Sequence, residues 1–247
     1  MRLALRPPPP GPGVAMRETV KRGARLREPF SGLSHLAGCL AAIGGLVHLV
    51  LLGRETGDPW LLGSVTIYGA TLVLMFLSSS LYHLLPVGPR AQRHLRITDH
   101  QMIYLLIAGS YTPICLGPLR GWIGWSLLGT IWGMAALGMV TKVRRFSLAR
   151  WLSVLPYVVM GCLVLIAVHP MVQKISPDAL PWLAGTGVAY LLGAVVYTTR
   201  RPDPFPGVFG FHELWHLFVI GGSFCYYWFV SHYLTTSSPL VNGTIAA

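Results

Sequence analysis

Seven long apolar stretches decide what this chain can fold into. They cover residues 33–52, 60–85, 97–116, 122–140, 151–168, 180–197 and 208–234. A stretch of about 20 apolar residues is long enough to cross the hydrocarbon layer of a bilayer as a helix. In that layer every backbone N–H and C=O needs an internal partner, which a helix supplies and an open strand does not. Composition agrees: 53% of the 247 residues are hydrophobic and 11% are charged, less than half the share of about 25% usual in soluble domains. Trp60, Trp122, Trp151 and Trp182 stand at the starts of stretches, and Trp228 and Tyr233 near the end of the last, where amphipathic rings favour the headgroup level. The expected fold is an all-α membrane protein, a seven-transmembrane helical bundle forming one domain.

The net charge of +11 is unevenly placed. Sixteen of the 19 Lys and Arg residues lie in the N-terminal tail and in the second, fourth and sixth connections. The other connections hold one each, Arg54, Arg120 and Lys174, and the C-terminal tail none. Basic residues collect on the cytoplasmic side, so the N-terminus is expected in the cytoplasm and the C-terminus outside, in a multi-pass protein of the plasma membrane. The basic surplus then faces anionic lipid headgroups, and nucleic acid is not an expected partner. Nothing in the pattern points to an oligomeric state.

The domain is expected over residues 28–234, between a proline-rich and basic tail (1–27) and a short tail (235–247). The run "MRLALRPPPPGPGVA" reads as disordered or polyproline-like. It has no apolar core of signal-peptide length. Met16 offers a second possible translation start. Cys39, Cys115, Cys162 and Cys225 all fall within apolar stretches and form no CxxC pair, so they read as small buried apolar residues.

Polar side chains inside such stretches are rare and point to function. "GFHELWH" places His212 and His216 four residues apart, on one face of a helix. That spacing suits two imidazoles on one Zn²⁺, or a hydrogen-bonded interfacial pair. "FLSSSLYHLLP" closes the second stretch with Ser79 and His83, and "RITDHQMIYLLIAGSYTP" opens the third with Asp99. The charge pattern puts the end of the second stretch and the starts of the third and seventh on the same side. His83, Asp99, His212 and His216 therefore share one depth near the cytoplasmic face. Three neutral histidines with an open fourth position form the pattern of a catalytic zinc site, with the carboxylate placed to hold the water.

These segments resemble the three motifs of the haemolysin III family, within the progestin and adiponectin receptor group and a wider superfamily that includes alkaline ceramidases. The resemblance runs from about Glu28 to Tyr233, and "REPFSGLSHLAG" is similar to the family's N-terminal segment. It implies zinc held by His83, His212 and His216, Asp99 on the zinc-bound water, and Ser79 beside it. Asp99 and Ser79 are thus the candidate catalytic residues. The reaction class expected is hydrolysis of an amide or ester in a lipid-like substrate, with membrane lipids as partners; a ceramide-type substrate comes from the resemblance alone. A receptor with structural zinc and a pore-forming cytolysin are the alternatives.

H-E-x-x-H is also the signature of zinc proteases. Such an enzyme needs a third ligand downstream, and the sole downstream candidate is His232. Sixteen residues on, it lies roughly 24 Å away along a helix. Glu213 is accordingly expected to face the interface or pair with Arg200 or Arg201, although both Glu213 and Asp99 stand as candidate bases. His35 is expected in a helix–helix hydrogen bond or beside the site, His94 in a basic loop, and His100 turned about 100° from Asp99. His48 and His169 are expected to be remote. Tyr82, Tyr104, Ser110 and Tyr111 are expected either to line the pocket or to tie helices together.

Overall fold

A computed structural model describes residues 26–144, 149–205 and 208–235. Both tails inferred from the sequence lie almost wholly outside the described residues. The rest is helical: α1 (Pro29–Glu55), α2 (Pro59–Leu84), α3 (Pro89–Leu116), α4 (Trp122–Arg144), α5 (Arg150–Cys162), α6 (Val168–Lys174), α7 (Leu180–Thr199) and α8 (Phe211–Phe229). A 3₁₀ segment, Leu163–Ala167, joins α5 to α6, and a π turn, Val230–Leu234, extends α8. Short connections send successive segments back alongside one another. α2 packs between α1 and α3, and α8 packs on both α7 and α1.

Five segments are long and apolar enough to cross a membrane: Pro29–Glu55, Pro59–Leu84, Trp122–Val143, Arg150–Lys174 and Pro177–Thr199. This is a helical membrane protein. The sequence led to an expectation of seven such segments. α3 and α8 fall short because they carry the polar residues of greatest interest, Asp99 and His100 in one and His212, Glu213 and His216 in the other. α3 also begins earlier than its apolar stretch. Pro89 at its first position lacks the N–H that a helix start leaves unpaired. Arg90, Arg93, His94 and Arg96 therefore lie on helix, where the sequence suggested a loop.

The apolar pattern is the reverse of a soluble protein's. Trp122 and Ile166 are 80% and 79% exposed, while the interior mixes Leu49, Val65, Phe229 and Val230 with polar groups such as Tyr68, Ser79 and Thr112. Lipid competes with apolar packing, so close backbone approach and interhelical hydrogen bonds matter more. A Cβ built on Gly109 would come within 2.1 Å of Thr71 Oγ1, so only glycine lets α3 lie this near α2.

The fifth apolar stretch, expected as one span, lies in one apolar segment, Arg150–Lys174, whose helix breaks into 3₁₀ over Leu163–Ala167 before it resumes as α6. Pro170 has no N–H to return to the turn before it. Tyr111 of α3 answers for the break: its hydroxyl donates to the carbonyls of Met160 at 2.7 Å and Gly161 at 3.1 Å, and accepts from Val164 N–H at 2.8 Å. Tyr111 is thus interhelical glue. The four cysteines are free, Cys39 and Cys115 fully buried.

Candidate metal centre

His83 sits in the last turn of α2, 1% exposed, and His216 in α8 is 2% exposed. His212 lies one turn before His216. The short connection from α7 returns the chain so that α8 starts beside the end of α2. That start is firmly capped. Phe211 N–H donates to Asp203 Oδ1 at 3.1 Å, and Gly210 N–H to Glu213 Oε2 at 2.9 Å. A Cβ on Gly210 would push aside the Asp203 carboxylate that caps Phe211. The consequence is a group of three histidines whose ligand nitrogens all lie within 4.8 Å of one another. The Nε2 atoms of His83 and His212 are 3.4 Å apart.

The outward nitrogens of two of them are occupied. His83 Nδ1–H donates to Glu28 Oε2 at 2.5 Å. His216 Nδ1–H donates to the Ser31 carbonyl at 3.2 Å. With the proton on Nδ1, the lone pair on Nε2 is directed inward, the arrangement by which metal-binding histidines are usually oriented. The contact with His83 holds the Glu28 carboxyl below its ordinary range. Neutral imidazole suits zinc among the transition metals, and three such donors leave a fourth position open for a ligand from solvent or substrate. The donor set fits zinc.

A cavity of about 300 Å³ opens beside this group, lined among others by Tyr82, His83, Asp99, Arg150, Tyr197 and His212. These residues come from segment ends that the up-and-down path gathers at one end of the bundle. Asp99 of α3 shares the cavity with His83 and His212. Ser79, buried one turn before His83, interacts with the Asp99 carboxylate. His100, which its place on the helix suggested would turn away, also lines the cavity, with Nδ1 on the Arg96 carbonyl at 2.7 Å.

Glu213 does not pair with Arg200 or Arg201. Its carboxylate is taken up by Gly210 N–H and by the Ser31 hydroxyl at 2.9 Å, a helix cap tied to α1. His35 makes no helix–helix hydrogen bond either. Its ring stacks on His216 with centroids 3.8 Å apart, and neither ring nitrogen has a hydrogen-bond partner among the described residues. Tyr104 packs against Tyr157, and the Ser110 carbonyl accepts from the Tyr226 hydroxyl. Neither lines the cavity. His48, His169 and His232 have partners elsewhere: Tyr227, Gln173 and Ser231.

Glu28 and Ser31 are the functional candidates that sequence reasoning passed over. A signal was present. Glu28, Ser31 and His35 are spaced by three and four around the start of α1, the spacing by which side chains come to one side of a helix.

The family model "Haemolysin-III related" matches residues 24–227. The "Hemolysin-3 homolog" of Bacillus subtilis (strain 168) is 38% identical over 209 residues, covering 83% of this chain and 93% of that protein. The "Hemolysin-3" of Bacillus cereus is 35% identical, covering 84% and 91%. The "Adiponectin receptor protein" of Drosophila melanogaster is 28% identical over 78% of this chain and 48% of its own length. No solved structure matches significantly.

Proposed function

The chain belongs to the haemolysin III family, within the progestin and adiponectin receptor group, and on that premise we propose that it is a seven-span plasma-membrane protein that binds zinc near the cytoplasmic face and hydrolyses an amide or ester in a lipid-like substrate. One observation carries the reading. Three histidines converge, His83 and His216 buried with their outer nitrogens already held and His212 partly exposed, and Asp99 faces the cavity beside them. Of the carboxylates in the cavity wall, Glu28 holds His83 and Glu213 caps α8, which leaves Asp99 for chemistry on a bound substrate.

His83, His212 and His216 hold the ion. Zinc in such a set supplies Lewis acidity and a means of ionising water near neutral pH. Asp99 accepts the proton at a carboxylate oxygen and returns it to the leaving nitrogen or oxygen. Ser79 orients that carboxylate. Tyr82, Tyr197 and Phe211 give the cavity aromatic walls suited to an acyl chain entering from the bilayer. The basic residues around this end, Arg27, Arg96, Arg150 and Arg200 among them, favour the cytoplasmic side.

The test is hydrolysis of a lipid amide by purified protein and two variants. Asp99→Asn keeps the shape and loses the proton acceptor, so turnover should fall by about 100-fold or more with zinc retained. Glu213→Gln should leave turnover within a few-fold, because Glu213 is committed to a helix cap. The opposite pattern would move the base to Glu213. Zinc retained with no hydrolysis in any form would favour a receptor with structural zinc, the reading that the name of the Drosophila relative suggests. The ionisable side chains that line the cavity lie at one end of the bundle, whereas a charge-lined pore carries such groups through its depth.

A further inference from the structure

Glu28 precedes α1 by one residue and meets His83 twice. Its backbone N–H donates to the His83 carbonyl at 3.0 Å, and its Oε2 accepts from His83 Nδ1–H at 2.5 Å. Its other oxygen, Oε1, takes Arg27 at 2.8 Å. Arg27 also donates to the Tyr82 carbonyl at 3.4 Å and lies over the Tyr82 ring, 5.0 Å from its centroid. Two consecutive residues thus grip two others at the end of α2. The Glu28 carbonyl starts α1 by accepting from Gly32 N–H at 3.0 Å, so the grip is anchored in a long helix.

We infer that Glu28 is the positioning carboxylate of the metal centre, fixing His83 as the Nδ1–H tautomer with its Nε2 lone pair turned toward His212 and His216 before any ion arrives. The inference rests on the zinc reading above and extends it to a residue outside the three histidines and Asp99. The rival is a plain structural tie between α1 and α2. The two separate cleanly, because the backbone bond from Glu28 N–H to the His83 carbonyl survives any change of side chain. What a side-chain variant removes is the hold on the ring.

The experiment uses the full chain in nanodiscs, as wild type, Glu28→Ala and Glu28→Gln. Two quantities are read: the His83 tautomer in metal-free protein, from ring ¹⁵N shifts assigned with His83→Asn, and zinc affinity by competition with a chelator. Wild type should show Nδ1–H. Glu28→Ala should lose that single tautomer and bind zinc about 10–100-fold more weakly. Glu28→Gln keeps an acceptor oxygen but no charge, so it should retain the tautomer and bind with intermediate affinity. An unchanged tautomer in Glu28→Ala, or affinity within twofold of wild type, would reduce Glu28 to a tie between helices. If Glu28→Ala does not fold, Glu28→Gln decides: zinc affinity equal to wild type overturns the proposal. If wild type binds no zinc, the metal reading fails, and the metal-free tautomer still judges Glu28.

Discussion

Ser31 reaches α8 through two atoms. Its hydroxyl donates to Glu213 and its carbonyl accepts from His216. Ser31→Ala removes the first and keeps the second. A hydrogen bond to a charged group contributes about 1.5–3 kcal/mol, so the variant should unfold earlier in a denaturant titration while zinc affinity stays within a few-fold. A large loss of zinc with stability intact would mean the hydroxyl, not the carbonyl, orients the site. At this scale the sequence was informative where spacing and depth coincide. His212 and His216 share a helical face, and the charge pattern brings His83 and Asp99 to the same end. For Glu28 and Ser31 it offered only their spacing and not their roles, because their partners lie 55 and 182 positions away in the chain. The glutamate of H-E-x-x-H misleads for a related reason. A carboxylate in the first turn is also what caps a helix, and spacing alone does not say which role it has.

The elements that deviate from a simple span do so where another element covers the cost. The Tyr111 hydroxyl satisfies backbone groups on both sides of the break after Cys162. Tyr111→Phe takes this partner from Val164 N–H and the Gly161 carbonyl, while the Met160 carbonyl keeps Leu163 N–H; a buried group left unpaired costs about 1–3 kcal/mol. It should lower thermal stability and speed hydrogen exchange at Val164, with zinc content unchanged. Exchange at Val164 equal to wild type would show that the break has another support. The apolar stretches located every long helix, since a run of that length has no other way to bury its backbone in lipid; the short α6 (Val168–Lys174), which begins where the fifth stretch ends, they missed. The break was illegible, because it depends on a tyrosine from a helix about 50 residues earlier. The early start of α3 was hidden by its own charges, which read as a loop until Pro89 is recognised as a helix opener.

At the scale of the whole molecule, hydropathy and function pull against each other. α3 and α8 are not among the five segments long and apolar enough to cross a membrane, because they carry the polar residues of the site. The seven-span reading therefore rests on the up-and-down path and on the basic residues gathered at the cavity end. It predicts a C-terminus outside the cell: a reporter fused after Ala247 should be active only if it works outside, and activity of a cytoplasm-dependent reporter would reverse the orientation. The central claim is the metal itself, and the most direct measurement is zinc content per chain in purified protein and in His83→Ala, His212→Ala and His216→Ala. One zinc in wild type and a collapse of retention in each variant, which keeps two of the three protein donors, is the predicted result. Metal content indifferent to all three substitutions would contradict it.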